Sequence, residues 1–316
     1  TAVDTTGDVG QWTSIYCPAT DDCKISYYDV TNGDLKFRDC ADTICSGGTT
    51  TTVDTGGASQ ACGSGSCVGQ YTGIDCPTAT DCKISYYDVT NGDLEFRDCE
   101  DATCSTSNTA TPDSANDVGQ YTSIDCPAAN DCKISYYDVT GGDSQVFDCG
   151  NTSCSTGGAV RNIDTTNNVG QYSSIFCTAS TCHISHYDVT NANLRYAFCE
   201  TLGCAVVINS IEDSTGDVGQ WTSIYCPTGN DCKISYYDAT NGNLKFVDCG
   251  DSECGGQATT TVDTGGASQA CASGSCVGQY TGLYCPTATN CKISYYDVSG
   301  GDLKFRDCTN ASCSTG

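Results

Sequence analysis

The sequence predicts an all-β fold: a six-bladed β-propeller of four-stranded, disulfide-rich blades, with the ring closed by the N-terminal strand. Three observations predict it. One stretch, CKISYYDVTNGDLKFRDC from Cys23 to Cys40, recurs from Cys82, Cys132, Cys182, Cys232 and Cys291, and a period of about 50 residues marks a repeat architecture. No copy carries the apolar spacing of three and four residues that an amphipathic helix needs. The chain begins on the end of a strand, TAVDTTGDVG, and stops after Cys313 before its last unit reaches the matching one, so the strand missing at one end is surplus at the other.

Each unit reads as four strands. In the first, strand A is QWTSIYC (11 to 17), strand B is CKISYYD (23 to 29), strand C is DLKFRDC (34 to 40) and strand D runs from about 49 to 54. Strands B and C flank Asn-Gly or Gly-Gly, the residues that tolerate the positive φ of a tight hairpin. The units run at about 7–54, 55–113, 114–164, 165–213, 214–263 and 264–316, with 1–6 supplying the displaced strand D and leaving no sheet edge unpaired. They make one domain. The second and sixth units carry an insertion, Gly57 to Cys67 and Gly266 to Cys276, and the fourth is the most divergent.

Composition sets the compartment. The chain has 28 Cys, which in an oxidising space form a disulfide framework and in a cytosol would be hazardous thiols. There is no Met, so Thr1 is expected to follow removal of a leader. No apolar run is long enough to span a membrane. A net charge of −26 disfavours nucleic acid, whose phosphates it would repel.

The strands TSIYC and KISYYDVTNGDLKF, with their copies, resemble the bacterial and archaeal extracellular repeats with a Ser-Ile strand, an Ile-Ser-Tyr-Tyr-Asp strand and an Asn-Gly-Asp-Leu turn. The resemblance spans essentially the whole chain. It implies a propeller in an extracellular setting and supplies no catalytic residue. The four cysteines in every unit depart from that pattern.

Those cysteines favour neighbours in sequence. The expected pairs are Cys17–Cys23 and Cys40–Cys45 in the first unit, then Cys76–Cys82 and Cys99–Cys104, Cys126–Cys132 and Cys149–Cys154, Cys177–Cys182 and Cys199–Cys204, Cys226–Cys232 and Cys249–Cys254, and Cys285–Cys291 and Cys308–Cys313. The insertions add Cys62–Cys67 and Cys271–Cys276 at the same short spacing, which supports local pairing. The rival Cys23–Cys40, facing across the B–C hairpin, stays open at this stage. Gaps of five and six do not suit zinc.

Chemistry is sparse. Asp29, Asn32 and Asp34 gather oxygens at a turn, where Asx hydrogen bonding competes with calcium as the explanation. His183 and His186 are three apart on a strand and so point to opposite faces, which argues against a shared metal. Tyr27 and Tyr28 with their copies are either a sugar platform or packing between blades. Arg38, Arg97 and Arg306 lie on strand C. Asn151 and Asn310 head sequons inside C–D loops and are expected glycosylation sites. Near-identical blades repeat the same residues, whereas an active site needs unlike residues converging once. The expectation is therefore a non-catalytic extracellular structural protein, a propeller subunit of a filament, sheath or surface layer, partnered by itself and requiring no cofactor. A lectin-like carbohydrate-binding propeller and a sialidase- or lyase-like enzyme are the alternatives.

Overall fold

The computed structural model describes residues 2–56, 67–265 and 276–316. Every regular element among them is a strand, arranged in six antiparallel meanders. Blade one comprises β1 (Val9–Ala19), β2 (Asp22–Asp29), β3 (Asp34–Cys40) and β4 (Gly48–Asp54). Blade two comprises β5 (Val68–Thr78), β6 (Asp81–Asp88), β7 (Asp93–Cys99) and β8 (Ser107–Asp113). Blade three comprises β9 (Val118–Ala128), β10 (Asp131–Asp138), β11 (Asp143–Asp148) and β12 (Ala159–Asp164). Blade four comprises β13 (Val169–Cys177), β14 (Cys182–Asp188), β15 (Asn193–Cys199) and β16 (Val207–Asp213). Blade five comprises β17 (Val218–Thr228), β18 (Asp231–Asp238), β19 (Asn243–Asp248) and β20 (Ala258–Thr264). Blade six comprises β21 (Val277–Thr287), β22 (Asn290–Asp297) and β23 (Asp302–Asp307). These are the blades of a six-bladed β-propeller.

The chain falls into two compact units, Thr1–Gly141 with Gln145–Arg161, and Gly142–Ser144 with Asn162–Gly316. In each the core lies between successive blades, because both faces of a sheet carry apolar residues. Leu35 and Phe37 of β3 pack against Val68 and Ile74 of β5, and Leu244 and Phe246 of β19 pack against Val277 of β21. A fully buried Leu or Phe contributes about 1.5–3 kcal/mol. The approach is closest at one glycine per interface: a Cβ on Gly69 would lie 2.7 Å from the Leu35 Cα, and one on Gly278 would lie 2.7 Å from the Leu244 Cα. Polar pairs fix the register. Thr72 Oγ1 donates to Ser26 Oγ at 2.9 Å, and Tyr86 Oη donates to Asp54 Oδ2 at 2.6 Å.

The disulfides follow the local pairing. All twelve in-repeat bridges, from Cys17–Cys23 to Cys308–Cys313, join residues five or six apart. The second cysteine of each C–D bridge, Cys45 for instance at φ 51°, is left-handed, which lets the short loop double back. The two insertion bridges, Cys62–Cys67 and Cys271–Cys276, lie outside the described residues because Cys62 and Cys271 do.

Among the described residues the last sheet has three strands, and residues 2–8 form none. Tyr27 Oη donates to Asp4 Oδ2 at 2.8 Å, as Tyr86 does to Asp54, so Asp4 already stands where a strand D ends. On β23, Leu303 and Phe305 are 82% and 64% exposed.

Candidate functional site

The first feature of interest is on strand A. In every blade the residue after Gly-Gln is Trp or Tyr, and it sits at a β-bulge in the left-handed region: Trp12 at φ 49°, Tyr71 at 53°, Tyr121 at 53°, Tyr172 at 55°, Trp221 at 47° and Tyr280 at 52°. For a bulky residue this conformation costs about 1–3 kcal/mol. The bulge re-aims the ring along the array. In the first unit Trp12, Tyr71 and Tyr121 pack in succession as tilted rings, with centroids 5.1 and 4.5 Å apart. In the second, Tyr172, Trp221 and Tyr280 do the same at 5.2 and 5.0 Å. A second layer supports each arc: Tyr28 lies 5.4 Å from Trp12, and Tyr237 lies 5.4 Å from Trp221. Tyr87 and Tyr187 are anchored by donating to Asp117 and Asp217, each at 2.7 Å. The front rings are partly exposed.

The expected tyrosine pairs therefore divide their work. The Tyr27 type, including Tyr86, Tyr136 and Tyr236, is buried between blades, and its hydroxyl binds the aspartate that ends the preceding strand D. The Tyr28 type backs the arc. The front ring was missed because QWTS reads as ordinary strand, and the recurring Gly-Gln-aromatic triplet was the signal for the bulge.

The second feature is blade four. In blades one, two, three and five a lysine at the start of strand B is buried between two carboxylates, as Lys83 is between Asp81 and Asp98, while Lys292 of blade six meets Asp307 alone. Blade four has His183 there, with Thr181 and Phe198 in place of the acids. Tyr196, standing where Phe37 and Phe246 stand in their blades, donates to the Ser252 carbonyl at 2.5 Å. Its hydroxyl proton is thereby used, so His183 Nδ1, 2.6 Å away, is the donor to it. Burial lowers the His183 pKa to about 4, so the ring is neutral. His186 replaces the interblade tyrosine, and its Nε2 lies 3.6 Å from Asp164, which Arg195 also contacts at 2.7 Å. Each histidine thus has its own buried partners and they share none.

Beside this network, Glu212 and Lys245 line a cleft of about 520 Å³ between β16 and β19–β20, with Asp213, Thr215, Thr259 and Thr261. Burial raises the Glu212 pKa to about 7 against the lowering effect of Ser210, which donates to Oε1. Lys245 pairs with Asp213. Burial likewise raises Asp75 to about 6 and Glu95 to about 7. Carboxyl groups tuned to this range can give or take a proton near neutrality.

The remaining candidates serve the fold. Asp29 Oδ2 accepts from Asn32 Nδ2 at 2.8 Å and Asp34 Oδ1 accepts from Gly56 N at 3.1 Å, so the turn oxygens are engaged in Asx-type bonds. His183 lies near the sulfurs of Cys226 and Cys232, but these are joined to each other and offer no thiolate. Arg97 pairs with Asp54 at 2.6 Å, between blades. Asn151 Oδ1 accepts from Ser155 N at 3.0 Å and Asn310 Oδ1 from Ser314 N at 3.0 Å, both within their loops.

No protein-family model matches the chain, and no curated protein matches its sequence. Among solved structures, the fold is similar to that of an ulvan lyase of polysaccharide lyase family PL25, with a TM-score of 0.61 over 97% of this chain and 84% of that one at 8% identity. It is also similar to a GH74 xyloglucanase from Xanthomonas campestris, at 0.55 over 95% of this chain and 47% of that one with 9% identity. A bifunctional GH43-CE protein of Bacteroides eggerthii matches at 0.51, over 84% and 37%, again with 9% identity. Identity at this level shows the fold alone. The reading as a non-catalytic structural subunit is nevertheless corrected: these propellers are carbohydrate-active enzymes, and the supposed lack of unlike residues converging once fails at blade four.

Proposed function

We propose that the chain is a secreted carbohydrate-active enzyme, one that holds a polysaccharide against its strand-A aromatics and cleaves glycosidic bonds. The observation that carries this reading is the recurrence of a Trp or Tyr in a strained conformation at the same bulge of all six blades. Strain repeated this regularly calls for a return beyond packing, and a rigid, half-exposed aromatic face is the surface on which sugar rings stack. Three supports stand beside it. The solved structures that share the fold act on xyloglucan or ulvan by their printed names. Asp75, Glu95 and Glu212 hold protons into the range a general acid needs. Twelve disulfides suit an oxidising space outside the cell, where Asn151 and Asn310 would receive glycans before their loops close.

The test is incubation of the purified chain with neutral and uronate-containing polysaccharides, following reducing ends and the ultraviolet absorbance of unsaturated uronate. Hydrolysis gives the first signal alone and elimination gives both. Trp221→Ala is expected to lower kcat/KM about tenfold, the equivalent of about 1.4 kcal/mol of lost stacking. Absence of either product across the panel would remove the enzymatic reading.

A further inference from the structure

The cleft beside blade four has a feature that the repeat itself makes conspicuous. The residue before the aspartate that ends strand D is apolar in the other complete blades: Val53, Pro112, Ile163 and Val262. In blade four it is Glu212, which is 5% exposed. Its Oε1 accepts from Ser210, and its Oε2 is buried at the cleft wall without a hydrogen-bond partner. A buried polar atom left unpaired costs about 1–3 kcal/mol, so drift alone is a poor account of a glutamate here.

We infer that the cleft between β16 and β19–β20 binds a neutral, hydroxyl-rich sugar residue, with Glu212 orienting it. The inference rests on the carbohydrate reading and deepens it by naming the class of sugar and a place. Thr215, Thr259 and Thr261 add hydroxyls to the walls, which suits a ligand that both donates and accepts. Charge selects against an acidic sugar. Asp213 and Glu212 line the cleft, Asp251 acts on Glu212, and the lining Lys245 is already committed to Asp213. A uronate would meet carboxylates without a free cation to pair with among these residues.

The experiment uses the whole chain, with cellotetraose and oligogalacturonate as probes, calorimetry for affinity and amide resonances of Thr259 and Thr261 for location. Glu212→Val installs the residue of blades one and five, so the interface keeps an apolar packing it is known to accept. Glu212→Gln keeps a hydrogen-bonding side chain. The wild type is expected to bind cellotetraose with shifts at Thr259 and Thr261. Glu212→Val should weaken that site about tenfold or more, and Glu212→Gln should restore most of it. Unchanged affinity at the cleft in Glu212→Val, or oligogalacturonate shifting the same two amides, overturns the inference. Cellotetraose binding that leaves both amides unmoved also overturns it, while the carbohydrate reading survives. Failure of the wild type to bind or cleave any carbohydrate removes both together.

Discussion

Blades two and four follow the same backbone and solve one burial problem in opposite ways. In blade two a full charge is kept inside: Lys83 is 1% exposed, with Asp81 at 2.5 Å and Asp98 also in contact. In blade four the lysine and both acids are absent, and His183, Thr181 and Phe198 stand in their places, with the His183 ring stacked 5.2 Å from Phe198. The same exchange occurs one turn of the pattern away. Tyr86 and Arg97 on Asp54 give way to His186 and Arg195 on Asp164, with Arg195 at the position of Glu95 and Ala197 at that of Arg97. Substitutions that look scattered in the sequence are therefore sets, although the second leaves both His186 ring nitrogens buried without a hydrogen-bond partner. A buried ammonium without its carboxylate is untenable, so the three positions can change only together.

The sharpest way to break this comparison is to mix the two solutions. His183→Lys puts an ammonium among Thr181, Phe198 and Tyr196 with no carboxylate, and is expected to cost about 3–5 kcal/mol of stability by chemical denaturation. Adding Thr181→Asp and Phe198→Asp should recover most of the loss. If the single variant melts with the wild type, the positions are not a set.

A second comparison, on strand A, separates the two units. The residue after the strand-A Ile or Leu is Tyr16, Asp75 and Asp125 in the first unit and Phe176, Tyr225 and Tyr284 in the second. There the rings pack against one another at 4.8 and 4.9 Å. Asp75 instead accepts from Cys126 N at 2.6 Å and is 6% exposed. Burial raises its pKa from 3.8 to about 6, so the folded state holds a proton that the unfolded state releases sooner. Its contribution is complete below pH 3.8 and is lost as pH climbs to about 6, a fall of about 3 kcal/mol. Asp75→Asn should flatten that part of the stability profile. Glu95 and Glu212 act from 4.5 to about 7 and overlap this window, so the difference between wild type and Asp75→Asn isolates Asp75.

How much of this was legible follows from what repeats. The six units, the turn chemistry and the local disulfides were readable because each recurs and each has a local cause: Asn-Gly fixes a hairpin, and five or six residues fix a bridge. The bulge in strand A went unread, since QWTS satisfies strand propensity and only the recurrence of the Gly-Gln-aromatic triplet marks it. Divergence in the fourth unit was visible, but its meaning was not. His183, Tyr196 and Glu212 are well separated in sequence, and only pairing of β14 with β15 and of β15 with β16 brings them to one blade.

The smallest expected effect lies in the C–D loops, where blades differ by one atom. Asp42 and Asp101 each hold their loop by accepting from several backbone N–H groups, among them Ser46 N at 2.9 Å and Thr106 N at 2.8 Å. Asn151 and Asn310 make the corresponding bonds with an amide oxygen, and in addition Asn151 Nδ2 donates to Thr156 Oγ1 at 3.0 Å and Asn310 Nδ2 to Ser314 Oγ at 2.7 Å. The amide nitrogen that a glycan would occupy is thus already in use, and attachment would have to precede closure of the loop. Asn151→Asp and Asn310→Asp restore the residue type of blades one and two and should change stability by less than about 0.5 kcal/mol. Mass spectrometry of protein from a glycosylating host separates the two roles. Loss of a saccharide mass in the variants marks the sequons as used, whereas an unmodified wild-type mass shows that the asparagines serve the loop alone.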